Sequence, residues 1–425
     1  MSRRSLLMLA VLLAGALALR VAAVAFDAGA APQIDAADYD RHARSIAAGD
    51  GYPPTLFAAP GSPTAVRPPA YPYLLGAVYR VTGGGFDAGR LAGAVLGTLL
   101  VVLLFALAEL AWGRRTAWMA AGLAAVFPPL VFLNSSLVSE ALFLPLEVAA
   151  LAAVLVARRA PRPLPWAALA GVLCGVATLT RVVGLLLVVV AAAGVWAARR
   201  PAGRRALAAP AVVAGCAALV VAPWTVRNAI EFDSFVPVAT QEGINLSGSY
   251  NAVADERPRG AFVPPSAVPD NRPLFGEPSL DEADVNRVLT RRGATYALEH
   301  PERVGEVTWW SLLRMFDVAG DPTVTRISYV ESGVPTGLRR LTSAAIQVAA
   351  VLALLGIAAL ALRRGPPRGP RFVWLAPALL LATTAPVLGT PRYRAPLDPF
   401  IVVLCAIAAV ALTGRLRRRG PAARA

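Results

Sequence analysis

The chain has 425 residues, of which 56% are hydrophobic, and its formal net charge at pH 7 is +15. A mean hydropathy of +0.58 is well above the average of soluble proteins and excludes an ordinary soluble enzyme. A basic chain could bind nucleic acid, but the arginines here are spread over short connections between apolar runs. Composition and charge therefore favour a membrane protein and argue against a nucleic-acid partner.

Apolar runs recur along the whole chain, and a membrane-spanning helix needs roughly 20 mainly apolar residues. We predict ten spans, at residues 5–25, 91–112, 117–133, 137–157, 166–179, 182–197, 206–224, 341–362, 373–388 and 396–412. The fifth and sixth are short and could instead form one long helix. The predicted fold class is an all-α polytopic membrane protein of about ten transmembrane helices, with amphipathic helices at its outer face and a mainly helical or irregular outer segment.

Arginine clusters occupy alternate connections, which is the positive-inside pattern of an inner-membrane protein. Their members are Arg3, Arg4, Arg114, Arg115, Arg158, Arg159, Arg162, Arg199, Arg200, Arg204, Arg205, Arg363, Arg364, Arg368, Arg371, Arg415, Arg417, Arg418 and Arg419. The pattern predicts a multi-pass protein of the bacterial cytoplasmic membrane with both termini inside. Three regions follow: a transmembrane module at 1–231 with a first outer loop at 26–90, an extracytoplasmic segment at 232–340, and C-terminal helices with a basic tail at 341–425. The chemistry is predicted on the outer face.

The first outer loop opens with "IDAADYDRHARSIAAGDGYPP", an acidic stretch directly after an apolar run. Its apolar side chains recur at helical spacing and predict an amphipathic helix: Tyr39, Ala43, Ile46 and Ala47. Asp35 comes just before the first turn, where a carboxylate can cap free backbone N–H groups, so its position alone also fits a structural role. The other acids of the stretch are interpreted as solvated charges: Asp38, Asp40 and Asp50.

The outer segment divides into a Pro-rich stretch at 253–279, expected to be irregular, and a helical pattern at 281–316 that Pro301 interrupts. His300 is interpreted as structural because no second histidine or cysteine accompanies it. The three cysteines lie inside predicted spans and form no metal-binding pattern.

Five motifs in chain order carry a family resemblance. They are Asp35 ahead of Tyr39 with "GDGY" and "RPPAYPYLLGAVY", then "NSSLVSEALFLPL", "GVLCGVATLTRVVGLLL", "PWTVRNAIEFDSFVPVATQEGINL" and "GTPRYRAPLDPF". Together they resemble the integral-membrane C-type glycosyltransferases, which use polyprenyl-phosphate sugars and include protein O-mannosyltransferases and lipid A aminoarabinose transferases. The resemblance covers nearly the whole chain up to Phe400. The outer segment after Leu246 resembles no specific acceptor-binding module.

The resemblance implies a hexosyl- or pentosyltransferase that moves a sugar from a polyprenyl-phosphate carrier to a glycolipid, polysaccharide or protein. It implies that Asp35 acts on the acceptor, and a partly desolvated carboxylate is expected to have the raised proton affinity of a base. Glu140 is the second candidate, orienting the acceptor or sharing a divalent cation with Asp35. An equally weighted alternative makes Glu140 a helix N-terminal carboxylate that the helix dipole favours.

The leaving phosphate requires positive charge, which arginine can supply. An arginine at the depth of a span end is costly, so its side chain usually faces a cavity or a partner. Four arginines are predicted near the outer ends of spans: Arg181, Arg227, Arg392 and Arg394. Snorkelling to lipid headgroups is the alternative for each. The Arg392–Tyr393–Arg394 turn is favoured because two cations converge there, and Arg67 of the "RPP" stretch, held by prolines that stiffen the loop, is a further contact. Tyr39 and Tyr393 complete the predicted substrate-binding set.

Two other functions fit a polytopic chain. A lipid-linked-sugar flippase or transporter often shows internal repeats and charged or broken helices near the midplane, whereas this chain shows no convincing repeat and its ionisable groups concentrate at the outer boundary. A structural subunit of an envelope-assembly complex would make Asp35 and the arginine turn dispensable. The chain has no Walker A loop or GxGxxG fingerprint, which argues against a soluble nucleotide sugar as donor. The transferase is favoured.

Overall fold

The computed structural model describes residues 2–26, 28–362 and 369–418. Four predicted basic-cluster residues lie outside the described residues: Arg363, Arg364, Arg368 and Arg419. Within the described ranges the secondary structure is helical, without a strand. The α-helices are α1 (Arg3–Phe26), α2 (Asp35–Ala48), α3 (Ala70–Thr82), α4 (Phe86–Trp112), α5 (Arg114–Val126), α6 (Pro128–Asn134), α7 (Glu140–Arg159), α8 (Leu164–Thr178), α9 (Leu185–Arg199), α10 (Ala208–Phe232), α11 (Glu242–Ser249), α12 (Ala252–Asp255), α13 (Glu282–Glu299), α14 (Pro301–Met315), α15 (Pro322–Glu331), α16 (Arg339–Ala361), α17 (Leu375–Thr384) and α18 (Asp398–Arg418).

Six helical segments in the described chain are long and apolar enough to cross a membrane: Arg3–Phe26, Phe86–Trp112, Glu140–Arg159, Gly203–Phe232, Thr336–Ala361 and Ala395–Thr413. Helices α5 and α6, bent by 59° at Phe127, make a seventh if they are counted as one span. Three shorter apolar helices complete the set: Leu164–Thr178, Val182–Ala198 and Arg371–Thr384. The predicted all-α polytopic class is confirmed. Each predicted run coincides with an apolar helix, except that the run at 117–133 coincides with the bent pair α5 and α6. The total of ten spans stays a prediction.

The region from Trp166 to Ala197 forms two helices, which decides between the alternatives that the sequence left open. α8 ends at Thr178, and Arg181 has extended backbone angles before a short 3-10 turn leads into α9. At Gly184 an added Cβ would lie 2.5 Å from the backbone of Thr178, so a side chain there would clash with the end of α8. The break places Arg181 outside regular helix, where its side chain can reach a neighbouring element.

Helix α7 lies at the centre of the bundle and packs against α4, α8 and α9. Close approach between α8 and α10 depends on Gly171 and Gly175, because an added Cβ at Gly171 would lie 2.4 Å from the Val213 carbonyl oxygen. This small-residue spacing is typical of helix contacts in membranes, where packing and not water exclusion drives association. Arg181 Nη1, at the α8–α9 break, donates to Ser139 Oγ at 3.1 Å, so the break lies beside the start of α7.

Helices α2 and α3 pack together on the start of α7, as the amphipathic pattern predicts. α2 buries Ala36, Tyr39, His42 and Ala43. The Tyr39 ring meets Tyr71 of α3 edge-on, with ring centroids 5.1 Å apart, and Leu137 lies in the same apolar cluster. The apolar face therefore positions the acidic first turn of α2 above the bundle.

The segment at 232–340 is attached to the loop before α3 through a buried carboxylate. Glu282, at the start of α13, accepts hydrogen bonds from Thr55 Oγ1 at 2.8 Å, Thr64 Oγ1 at 2.7 Å and the Ala65 amide at 2.7 Å, and another from the Thr240 hydroxyl. Because buried charge is costly unless its hydrogen bonds are satisfied, this network holds the loop that carries Arg67.

The helical pattern after this carboxylate is interrupted where proline predicts. α13 ends at Glu299 and α14 begins at Pro301, with His300 between them. The His300 ring stacks on Tyr296 with centroids 4.0 Å apart, and its Nδ1 lies 3.0 Å from the Tyr296 carbonyl oxygen. These contacts fit the structural interpretation of His300.

Candidate active site

Asp35, at the first turn of α2, is held at both carboxylate oxygens by arginines. Arg67 Nη2 donates to Asp35 Oδ1 at 2.5 Å, and Arg392 Nη1 donates to Oδ2 at 2.7 Å. The residue before it, Ile34, has a φ of 54°, and no side chain caps the helix. The capping alternative for Asp35 is therefore wrong, because both of its oxygens face guanidinium groups contributed by other parts of the chain.

Glu140 begins α7 and is fully buried. Its Oε1 accepts from Arg392 Nε at 2.9 Å and lies 2.8 Å from Arg181 Nη1, while its Oε2 accepts from Arg392 Nη2 at 3.2 Å. Parallel contacts of this kind fix a guanidinium in orientation as well as position. Glu140 thus occupies the first turn of its helix and also sets the direction of Arg392.

The structure brings together the predicted residues Asp35, Glu140, Arg67, Arg181 and Arg392, and we call these five the carboxylate–arginine cluster. Residues Tyr39 and Tyr393 flank it. The Arg67 guanidinium carbon lies 4.9 Å from the centroid of the Tyr39 ring, and the Arg392 carbon lies 5.7 Å from that of Tyr393. Aromatic faces at these distances attract a cation and limit its orientations.

Two neighbouring acids differ from their expected solvated state. Asp38 Oδ2 accepts from Arg67 Nε at 2.8 Å, and its side chain is only 15% exposed. Asp40 accepts from the Tyr79 hydroxyl at 2.8 Å and from Arg44 Nε at 2.7 Å. The interpretation of both as solvated charges is wrong, because α3 and the loop before it cover that face of α2. Asp50 is exposed, as expected.

The proton affinity of the Asp35 carboxylate is lower than usual, and the expectation that it is raised is wrong. Burial raises the pKa of the Asp35 carboxyl, but the charges of Arg67 and Arg392 and their hydrogen bonds lower it by more, so the net pKa lies below its usual range. Asp35 is consequently ionised and weakly basic while both arginines hold it. A change in the arginine contacts is needed before this carboxylate can take a proton efficiently.

Sequence reasoning missed Glu331, which ends α15. Its Oε2 lies 3.1 Å from Arg392 Nη1, the same nitrogen that binds Asp35. Burial raises the pKa of Glu331 in spite of the adjacent guanidinium. No motif surrounds this residue, and only the folding of α15 onto the turn at 389–394 brings it to the cluster; the Ser328 hydroxyl accepts from the Arg392 amide at 2.8 Å.

Two predicted phosphate contacts lie elsewhere. Arg394 donates to Asp398 at 2.7 and 3.1 Å and to the Met315 carbonyl oxygen at 2.8 Å. Its side chain therefore forms a buried ion pair with Asp398. Arg227 donates to the Thr64 carbonyl at 3.0 Å and stacks on Trp224, 4.9 Å from that ring centroid. The expected convergence of Arg392 and Arg394 is therefore not seen, because the two side chains, two positions apart in the turn, point to different partners.

A cavity of about 300 Å³ opens beside the cluster. The polar residues of its lining include Asp35, Tyr39, Arg67, Arg181, Arg392 and Tyr393. The apolar residues of the lining include Val183, Leu246, Val387 and Leu388. Arg227 lines a separate cavity of about 840 Å³ instead. The smaller cavity joins cationic and apolar surfaces, which suits an amphiphilic anion.

A divalent cation shared by Asp35 and Glu140 does not fit this arrangement. The Arg392 guanidinium lies between the two carboxylates and donates hydrogen bonds to one oxygen of Asp35 and to both oxygens of Glu140. Among the residues that the structure describes, no group of three or more His, Cys, Asp or Glu side chains could hold a metal ion. The positive charge at this point comes from the protein's own arginine.

Comparison with known proteins identifies the fold. Residues 66–226 match the family described as dolichyl-phosphate-mannose-protein mannosyltransferase. The Archaeoglobus fulgidus oligosaccharyltransferase, solved with Zn and sulfate, aligns at a TM-score of 0.56 and 17% identity over 96% of this chain and 50% of that chain. This is the fold of the integral-membrane C-type glycosyltransferases. The family model and the likeness of fold agree with the superfamily resemblance that the sequence motifs carry.

Two further solved structures align with this chain. The A. fulgidus oligosaccharyltransferase AglB, in complex with an inhibitory peptide and a dolichol-phosphate, aligns at a TM-score of 0.57 and 15% identity over 98% of this chain and 52% of that chain. ArnT from Cupriavidus metallidurans bound to undecaprenyl phosphate gives a TM-score of 0.48 at 18% identity, over 97% of this chain and 79% of that chain. The chain spans about half the length of the oligosaccharyltransferase it matches. A sequence search of curated proteins finds no significant match.

Proposed function

We propose that this protein transfers a sugar from a polyprenyl-phosphate carrier to an acceptor hydroxyl on the outer face of the bacterial cytoplasmic membrane. The observation that carries the proposal is the Asp35–Arg392 pair in the lining of a cavity that also has apolar lining residues. A lipid-linked donor needs cations for its phosphate and apolar surface for its chain, and the acceptor needs a base. The fold likeness favours this reaction over transport by a flippase.

The donor phosphate is assigned to Arg67, Arg181 and Arg392. Arg181 Nε is buried without a hydrogen-bond partner among the described residues, so it is a donor that an entering phosphate oxygen can satisfy. Guanidinium groups suit phosphate because they present several N–H donors in one plane. The first prenyl units then lie against Leu246, Val387 and Leu388, which line the same cavity.

In the proposed reaction the acceptor oxygen attacks the anomeric carbon as the bond from that carbon to the phosphate oxygen breaks. The hydroxyl proton passes to Asp35, and the bonding electron pair leaves with the phosphate, whose growing charge the arginines stabilise. As the phosphate draws Arg392 and Arg67 toward itself, the pKa of Asp35 rises and the carboxylate becomes a better base. Glu140 touches neither reactant; it orients Arg392 and Arg181, which makes it a positioning residue.

The acceptor class and the hexosyl or pentosyl nature of the sugar can be determined by comparing the glycans of a strain that lacks this gene with those of its parent. We expect mass spectrometry of envelope glycans, glycolipids and glycoproteins to show one species lacking a single hexose or pentose. The wild-type gene should restore the species, and a gene encoding Asp35→Asn should not. Restoration by Asp35→Asn would instead support a structural or transport role.

The outer-face assignment makes a topology prediction. In a cysteine-free background, Ser266→Cys should react with a membrane-impermeant thiol reagent added to intact spheroplasts, because Ser266 is exposed in the segment predicted outside. Ser62→Cys, half-buried in the first loop, should react more slowly from the same side. Arg162→Cys, exposed in a predicted cytoplasmic connection, serves as the control and should react only after lysis. The reverse pattern would overturn the orientation.

A further inference from the structure

The Arg392 guanidinium is almost fully engaged before any donor arrives. An arginine side chain has five N–H donors. Arg392 gives Nε and Nη2 to Glu140 and Nη1 to Asp35, while Glu331 lies 3.1 Å from the same Nη1. A phosphate that binds Arg392 through more than the remaining Nη2 hydrogen must therefore displace one of the three carboxylates.

Glu331 is the carboxylate that is held least firmly. Glu140 is fully buried and also paired with Arg181, and Asp35 is also paired with Arg67. In the described part of the chain, Arg392 is the only cation whose ion pair with Glu331 is within 4.0 Å. The raised pKa of Glu331, caused mainly by burial, agrees with an ion pair that does not fully compensate desolvation.

A second cavity provides space into which the Glu331 side chain can turn. It measures about 400 Å³ and is lined by Gln33, Ala36, Arg90, Glu331 and Arg339, among others. Glu331 thus contacts Arg392, which faces the proposed donor cavity, while itself lining a different one. Arg339 Nε is buried there without a hydrogen-bond partner among the described residues. Because Arg339 and Glu331 line the same cavity, this unsatisfied N–H offers the Glu331 carboxylate an alternative partner when its side chain turns.

We propose that Glu331 is a displaceable carboxylate, which competes with the donor phosphate for Arg392 Nη1 and turns to Arg339 when the phosphate binds. This inference rests on the proposed function, since it takes Arg392 as a phosphate contact. It assigns α15, in the segment at 232–340, a direct part in donor binding and release. After transfer, return of Glu331 to Arg392 helps expel the polyprenyl phosphate.

Binding of a donor-like anion to the purified full-length protein tests the inference. A short-chain prenyl methyl phosphodiester is a suitable probe because it carries one negative charge, as the donor does, and contains no sugar. Glu331→Gln removes the competing charge and should bind the probe about tenfold more tightly, the change expected when one charge-assisted contact is released. A merely structural loss would not tighten binding. Glu302→Gln, an exposed glutamate of the same segment, is the matched control and should bind like wild type.

Arg339→Gln provides the second measurement. It removes the alternative partner at a point outside the donor cavity, so it should weaken probe binding several-fold while Glu331 is present. In the Glu331→Gln background the same change should have no effect, because coupled residues are non-additive. Equal or weaker probe binding by Glu331→Gln, or an Arg339→Gln effect that persists in the double variant, would overturn the inference. Unchanged binding by Arg392→Gln would instead refute the phosphate assignment itself.

Discussion

Asp35→Asn should lower the rate of sugar transfer by about two to four orders of magnitude, the usual contribution of a general base. Asparagine has nearly the same shape and still accepts a hydrogen bond from Arg67 or Arg392, but it cannot take the acceptor proton. The helix α2 should stay folded, since its apolar face and not Asp35 packs it onto α3. Donor binding should be retained, because the substitution removes a competitor for both arginines. The measurement is the rate of polyprenyl-phosphate release from the donor identified with the deletion strain.

Variants of two other aspartates in the same loop serve as comparisons for the transfer rate of Asp35→Asn. Asp50→Asn changes an exposed carboxylate and should transfer at the wild-type rate. Asp38→Asn should show a smaller loss than Asp35→Asn, because Asp38 holds Arg67 at 2.8 Å and acts on the site only through it. Near wild-type transfer by Asp35→Asn would refute the base assignment. Complete loss in Asp38→Asn alone would move that role to Asp38.

Arg392→Gln should abolish most donor binding. Hydrogen bonds to charged groups contribute about 1.5–3 kcal/mol each, so the loss of the central phosphate contact should weaken affinity by about 10- to 100-fold. The same change removes the cation that Asp35, Glu140 and Glu331 share. Removing one partner of a buried ion pair costs about 3–5 kcal/mol, and a fall in Tm should accompany the loss of affinity. Probe binding and thermal unfolding of the purified variant measure the two effects separately.

Arg394→Gln is the matched control two positions away. It breaks the buried pair with Asp398 and should lower Tm to a similar degree. Its folded fraction should bind the prenyl phosphodiester as wild type does, because Arg394 does not line the proposed donor cavity. If the two variants lose affinity equally, the effect comes from instability of the turn and Arg392 has no special role at the phosphate.

Helix positions followed from local information. The apolar runs coincide with helices because a run of that length has few other ways to satisfy its backbone in a membrane. Helix α2 could be predicted from the spacing of Tyr39 and Ala43, and the break at Pro301 from the missing N–H of proline. Each of these features depends on residues within a few turns of one another.

The candidate site was only partly accessible from sequence. Motif resemblance named Asp35 and Glu140, and the need of a leaving phosphate for positive charge named Arg67 and Arg392. No spacing rule could show that Asp35 and Arg392, 357 positions apart, share a hydrogen bond. The low proton affinity of Asp35 escaped prediction for the same reason. A pKa depends on which charges lie within a few ångströms in space, and neighbours in sequence do not reveal them.

By itself, then, the sequence determined the helical membrane class, the approximate bounds of the helices and the family to which the motifs point, since all of these are set by composition and short-range periodicity. Tertiary structure alone decided which arginines meet the carboxylates. The tertiary structure directs Arg394 to Asp398 and Arg392 to Asp35, although only one residue separates the two arginines in the turn. It also brought Glu331 to the cluster. Side-chain direction depends on how distant helices pack around a turn, and this information is spread over the whole fold.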